Sequence, residues 1–300
     1  MEKPPHGTQP LKVPPVFVPT VVPEREWVPI QTRKNGFRPK SLEKPPLRLT
    51  PAVPDGEHQP LILPGNTRDS LRRRTHFQQF PSMSDILHTT KFVDAATQHI
   101  LNHAARAIVE RGRFFLALSG GSTPKAIYQK LADIAPDTSR WVITFGDERC
   151  VPPDHAQSNF KMAHEAWLYR ADATVLRIKA ELDPAAAAQD YEAQLDAFPD
   201  FRHDLILLGM GDDGHTASLF PGSEGLQETQ RRVIANFVPS LGVWRITLTF
   251  PFINAARSIV FLVNGKSKQS LVESILRGGT DYPSERITPT DGQLLWLLGE

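Results

Sequence analysis

Asp213 and His215 stand two residues apart in the run LILLGMGDDGHTASLFPGS, residues 205–223. An imidazole beside a carboxylate suits proton transfer, because an ordinary histidine pKa of about 6.5 lets the ring take up and return a proton near neutrality. Gly209, Gly211 and Gly214 let the backbone turn tightly and approach a ligand closely. The amides of residues 211–214 are candidate oxyanion donors. The plainer reading is a surface turn carrying ordinary polar residues, with Thr216 and Ser218 satisfying its amides. Ser218 as a nucleophile is disfavoured, since the chain has no G-x-S-x-G elbow. A metal held by His215 and the aspartates is disfavoured too, because His215 lies in neither an H-x-x-x-H nor an H-E-x-x-H spacing.

Two other loops have chemistry of the same kind. Residues 119–124, Ser-Gly-Gly-Ser-Thr-Pro, follow an apolar run and open a helical one. Thr123 is placed to cap that helix and Pro124 to be its first residue. A glycine turn at a helix N-terminus offers an anion backbone amides and the positive end of a dipole. The loop has neither the G-x-G-x-x-G nor the G-x-x-x-x-G-K-S/T spacing of nucleotide sites. Asp147, Glu148 and Arg149 follow another buried run, and three charges there must pair with each other or meet a ligand.

The elements that position these loops alternate. Residues 88–92 read as an edge strand, 94–110 as a helix, 114–118 and 141–145 as buried strands, with 146–155 as loop. Ser158 caps a helix, 175–178 is a strand, and Asp183-Pro184 opens a helix to Leu195. Strands follow at 205–208, 233–238, 244–250, 258–263 and 293–298, with a helical turn at 251–255 and a helix at 266–276. The last helix starts with Lys266 and Lys268, which oppose its dipole unless one of them faces an anion. Such alternation means a mostly parallel sheet with helices on both faces. Its crossovers bring the three glycine-rich and charged loops to one edge.

Composition sets the limits. The chain has 300 residues, 40% hydrophobic and 22% charged, with a net charge of +1. No window suits a helical membrane span and no signal peptide is visible, so the expected location is the cytoplasm. The single cysteine, Cys150, excludes an internal disulfide. Residues 1–82 hold sixteen of the 27 prolines and 13 Lys and Arg against 7 Asp and Glu. This segment is expected to be disordered, or to precede a true start at Met83, leaving residues 83–300 as the catalytic domain. Its Arg72-Arg73-Arg74 cluster lacks the aromatic interleaving of a nucleic-acid site.

Four stretches carry a family resemblance: SGGSTP (119–124), GDERCVPPDHAQSN (146–159), GMGDDGHTASLFPG (209–222) and RITLTFPFINAARSIVFLV (245–263). In that order and spacing the chain resembles the 6-phosphogluconolactonase family. The related glucosamine-6-phosphate deaminases usually follow the Asp-Gly-His with Asn-Glu-Pro, where this chain has Ala217-Ser218-Leu219. The resemblance implies an α/β fold with a mostly parallel, Rossmann-like sheet. It also implies hydrolysis of 6-phospho-D-glucono-1,5-lactone in the oxidative pentose phosphate pathway, without metal or organic cofactor. The expected partner is a small sugar-phosphate lactone rather than a nucleic acid or a membrane, and the oligomeric state is left open, with a monomer favoured.

The residue assignments follow. His215 is the base, with Asp213 or Asp147 orienting the water or the imidazole. Asp147 also serves sugar hydroxyls. Gly120, Gly121, Ser122 and Thr123, helped by Arg149, Arg245 and Lys268, hold the phosphate. Two competing readings are a sugar-phosphate isomerase or deaminase of the same fold, and a sugar-phosphate sensor whose base is idle.

Overall fold

The alternating apolar runs become ten strands and six helices in a computed structural model that describes residues 85–299. These residues belong to the unit Arg73–Glu300. The expectations for the proline-rich segment 1–82 and for a start at Met83 fall outside the described residues. In order the elements are β1 (Asp85–Thr89), α1 (Phe92–Arg111), β2 (Phe114–Leu118), α2 (Ser122–Ile134), β3 (Trp141–Phe145), β4 (Asp147–Arg149), α3 (Asn159–Ala166) and β5 (Thr174–Val175). After them come α4 (Pro184–Asp196), β6 (Leu205–Leu208), β7 (Val233–Val238), β8 (Val243–Leu248), α5 (Phe250–Asn254), β9 (Ser258–Asn264), α6 (Gln269–Arg277) and β10 (Gln293–Gly299). None of the described helices is long and apolar enough to cross a membrane.

Seven strands form one parallel sheet in the order β1-β10-β9-β6-β2-β3-β5. Its central strands are apolar on both sides because helices pack around it. All of Leu205, Ile206, Leu207 and Leu208 are buried, and each such leucine contributes about 1.5–3 kcal/mol by leaving water. The chain passes from β2 to β3 on one side and from β6 to β9 on the other. The order therefore reverses between β2 and β6, which opens a crevice at their carboxyl ends. Two buried tyrosines fix this edge. Tyr128 Oη bonds both the amide and the carbonyl of Ser119, at 3.0 and 2.9 Å, and Tyr191 Oη does the same for Phe145, at 2.7 and 3.1 Å.

The second sheet, β4-β8-β7, is antiparallel. It corrects the expectation that residues 146–149 are loop. Their charges conceal a strand in which Asp147, Glu148 and Arg149 pair with Thr247, Ile246 and Arg245. Other boundaries shift as well. Strand β1 ends at Thr89, and Phe92 is the buried first residue of α1 rather than the end of a strand. Strand β5 has two residues, and β8 stops at Leu248 because Phe250 begins α5. Gly121, with φ of 109°, is the N-cap of α2, so Thr123 lies inside the first turn and caps nothing. Ser158 caps α3 as expected, and Asp183, just before Pro184, caps α4.

His203, just before β6, is sealed in the core. Its Nε2 lies 2.9 Å from Thr144 Oγ1, and its Nδ1 is buried without a partner among the described residues. Burial pushes its pKa down to about 3, so the folded chain keeps this ring neutral. The unfolded chain binds a proton below its ordinary value of about 6.5, and stability therefore falls as pH drops from about 6.5 towards 3. This one group is expected to cost about 2 kcal/mol at pH 5 relative to neutral pH. Urea unfolding at pH 7 and 5 checks this: His203→Gln should flatten the pH dependence, and an unchanged slope would refute it.

Candidate active site

A cleft with a cavity volume of ≈ 260 Å³ opens at the carboxyl ends of β2, β3 and β6. Ser119, Gly120, Asp147, Arg149, His215 and Lys268 line it. The crossovers thus bring together residues from all three loops named above and from the turn before α6.

The Asp213–His215 turn is held by its own backbone. Gly211 N donates to His215 O at 2.9 Å, and Gly214 N donates to Gly211 O at 3.1 Å. These two amides are therefore spent inside the turn and do not serve as oxyanion donors. Glycine is required at 211, where a Cβ would lie 2.1 Å from His215 Nδ1. Asp213 Oδ1 accepts from His215 N at 3.2 Å and lies 2.5 Å from His215 Nδ1. The carboxylate thereby fixes the tautomer with the proton on Nδ1 and leaves Nε2 as the basic nitrogen. Phe220 stacks on the imidazole, the two ring centroids 3.9 Å apart with an interplanar angle of 20°. Burial works to raise the Asp213 pKa, but the hydrogen bonds from the His215 ring and amide outweigh it and hold the carboxyl below its ordinary range.

Asp147 is buried and doubly held. Ser218 Oγ donates to its Oδ2 at 2.6 Å and Asn159 Nδ2 to its Oδ1 at 3.2 Å. Ser218 is thus a fixed donor to Asp147, buried away from the cleft, rather than a nucleophile. Glu148, grouped with Asp147 in sequence, turns away and serves α3. Its carboxylate accepts from the amides of Arg149, Asn159 and Phe160 and from Ser158 Oγ. Burial raises its pKa against those hydrogen bonds. The helix N-terminus is what keeps this charge in the interior.

The cationic residues divide. Lys268 lies in a separate 3₁₀ turn, Lys266–Lys268, ahead of α6. Its Nζ donates to Met210 O and stands 3.5 Å from Asp212 Oδ1, at the cleft. The dipole conflict read from the sequence is relieved, since Lys268 faces the site. Arg149 also lines the cleft, with Nη1 donating to Gln157 O at 2.7 Å. Arg245 sits opposite Arg149 in the strand register but lines a neighbouring pocket with Trp244 and Leu182. Burial and then the Arg149 charge depress its pKa. Among the described residues it has no carboxylate partner. Gly120 packs so closely on Asn159 that a Cβ would meet its Oδ1 at 1.9 Å. Gly121, Ser122 and Thr123 are not among the residues that line the cleft, and the N-terminus of α2 that they form has no side-chain cap.

Sequence reasoning missed Ser119. Its Oγ is buried without a partner among the described residues, and the residue lines the cleft. Its place as the last polar residue before Gly120-Gly121 was the available signal. The run from Gly209 to Gly214 also has a G-x-G-x-x-G spacing after a strand, but no helix follows it to aim amides at a pyrophosphate.

Residues 88–296 match the family profile described as glucosamine-6-phosphate isomerases/6-phosphogluconolactonase. The chain belongs to this family. It is 41% identical over 222 residues to the 6-phosphogluconolactonase of a Nostoc strain, covering 70% of this chain and 91% of that protein. Over 239 residues it is 34% identical to the human 6-phosphogluconolactonase, covering 73% and 92%. The solved 6-phosphogluconolactonase of Thermotoga maritima superposes with a TM-score of 0.67 at 30% identity, covering 73% of this chain and all of that one. In this member of the glucosamine-6-phosphate isomerase/6-phosphogluconolactonase family, the cleft at the sheet reversal joins an oriented imidazole, two cations and a buried carboxylate.

Proposed function

We propose that this chain hydrolyses 6-phospho-D-glucono-1,5-lactone to 6-phospho-D-gluconate, the second step of the oxidative pentose phosphate pathway, and acts in the cytoplasm. The observation that carries the reading is the Asp213–His215 pair in a cleft shared with Arg149 and Lys268. His215 Nε2 takes a proton from water as the water oxygen attacks the lactone carbonyl, and Asp213 stabilises the imidazolium that forms. The tetrahedral intermediate collapses with cleavage of the ring C–O bond, and the imidazolium returns its proton to the departing ring oxygen. Ser119 Oγ and Lys268 Nζ are the donors at hand for the oxyanion, since the Gly211 and Gly214 amides are engaged within the turn. Asp147, held by Ser218 and Asn159, accepts from sugar hydroxyls. Arg149, with Arg245 beside it and the amides at the start of α2, meets the phosphate.

Product assays test this against the isomerase branch of the family. Offered the lactone and glucosamine-6-phosphate in parallel, the protein should consume the first and release no ammonia from the second. Ammonia release, or aldose–ketose interconversion without lactone loss, would move the assignment to proton transfer at carbon.

A further inference from the structure

The peptide that joins Gly214 to His215 is gripped from outside the turn. Ser284 donates twice to the Gly214 carbonyl, from its amide at 3.0 Å and from its Oγ at 2.8 Å. Ser284 is only 1% exposed, so neither bond is shared with solvent. The Tyr282 ring lies over Gly214 itself. A Cβ there would come within 2.5 Å of it, and the φ of 71° already disfavours any side chain.

The segment that presents Ser284 is itself pinned. Glu285 accepts from the amides of Gly279 and Thr280 and from Thr280 Oγ1. Ile287 is buried in the core. Asn254, at the end of α5, bonds Thr288 N at 2.9 Å through its side chain, Thr290 N at 2.9 Å through its carbonyl, and Arg286 O at 3.0 Å.

A peptide unit is planar, and its carbonyl and N–H point in opposite directions. Fixing the Gly214 oxygen on Ser284 therefore fixes the direction of the His215 N–H. That N–H is the one received by Asp213 Oδ1, the oxygen that also meets His215 Nδ1. We propose that Ser284 is a positioning residue for the base: its two hydrogen bonds set the plane of the Gly214–His215 peptide and so hold Asp213 and the imidazole in register. Tyr282 seals the glycine face of this grip, and Phe220 supports the ring face of the imidazole. The inference rests on the function proposed above for His215 but is read out separately.

Ser284→Ala keeps the amide bond and removes the hydroxyl. The expected result is a fall of about tenfold in kcat with KM for the lactone within twofold, because small misplacements of a reacting group weigh on the chemical step. The Nδ1 proton of His215, followed by proton NMR in the free protein, should shift or broaden. Ser284→Thr, which retains a hydroxyl, should restore both. Ser284→Cys, close in size and a weak donor, should fall between, and it serves in place of the alanine variant if that one does not fold. A folded Ser284→Ala protein with wild-type kcat and an unmoved Nδ1 proton overturns the proposal. So does a loss of kcat with that proton unmoved, which would make Ser284 merely structural. If the wild type fails to turn over the lactone, the proposed function falls, while the NMR comparison still decides the role of Ser284.

Discussion

Replacing His215 by alanine is expected to lower kcat for the lactone by about 10²–10⁴-fold, the range that a positioned general base contributes. KM should stay within a few-fold, since Arg149, the cation that would meet the phosphate, remains in the cleft. The pH profile gives a second readout. The base acts only when unprotonated, so the wild-type rate should fall as pH is lowered and the imidazole takes up a proton. The hydrogen bonds from His215 hold the Asp213 carboxyl below its ordinary range, so Asp213 stays ionised over that acid limb. The variant should lack it. A folded His215→Ala protein with wild-type kcat would return the search to Asp147 and Asp213.

Arg149→Ala should lose roughly 10- to 150-fold in kcat/KM, the equivalent of a charge-assisted phosphate bond of about 1.5–3 kcal/mol. Arg149 faces Arg245 across the β4–β8 pair. Two guanidiniums opposite one another repel unless an anion lies between or beside them. The loss should be confined to the phosphorylated substrate. Unphosphorylated gluconolactone, turned over slowly by the wild type, should be turned over no more slowly by the variant. An equal loss for both lactones would remove Arg149 from the phosphate site.

The parallel sheet was legible because its strands are continuous apolar runs between periodic helices, as in Leu205–Leu208. Two-sided burial leaves such runs no polar alternation to hide in. The small antiparallel sheet was only partly legible. Residues 233–238 and 244–250 read as strands, the second overlapping the observed Val243–Leu248, but Asp147–Arg149 did not, because its three charged residues carry no apolar signal. What makes it a strand is non-local: the pairing with β8 and the amides of α3 that receive Glu148.

The site followed the same division. His215, Asp213, Asp147, Gly120, Arg149 and Lys268 stand at strand ends or turns that a parallel fold must bring to one edge. Their convergence could be argued from chain order. Ser119 and Ser284 could not be found that way. Ser119 is marked by a buried hydroxyl with no partner among the described residues, and Ser284 by two bonds to a residue seventy positions away. Neither observation has a counterpart in local spacing. Arg245 shows the converse limit, since its position in the strand was readable while the pocket it faces was not.

The central claim is lactone hydrolysis in this cleft, and the most direct measurement is the initial rate of loss of freshly generated 6-phosphogluconolactone with the full-length protein, corrected for spontaneous hydrolysis. The account predicts accelerated loss, saturable in lactone, with 6-phosphogluconate formed in equal amount. Loss at the spontaneous rate by a folded protein that still binds the lactone would contradict it.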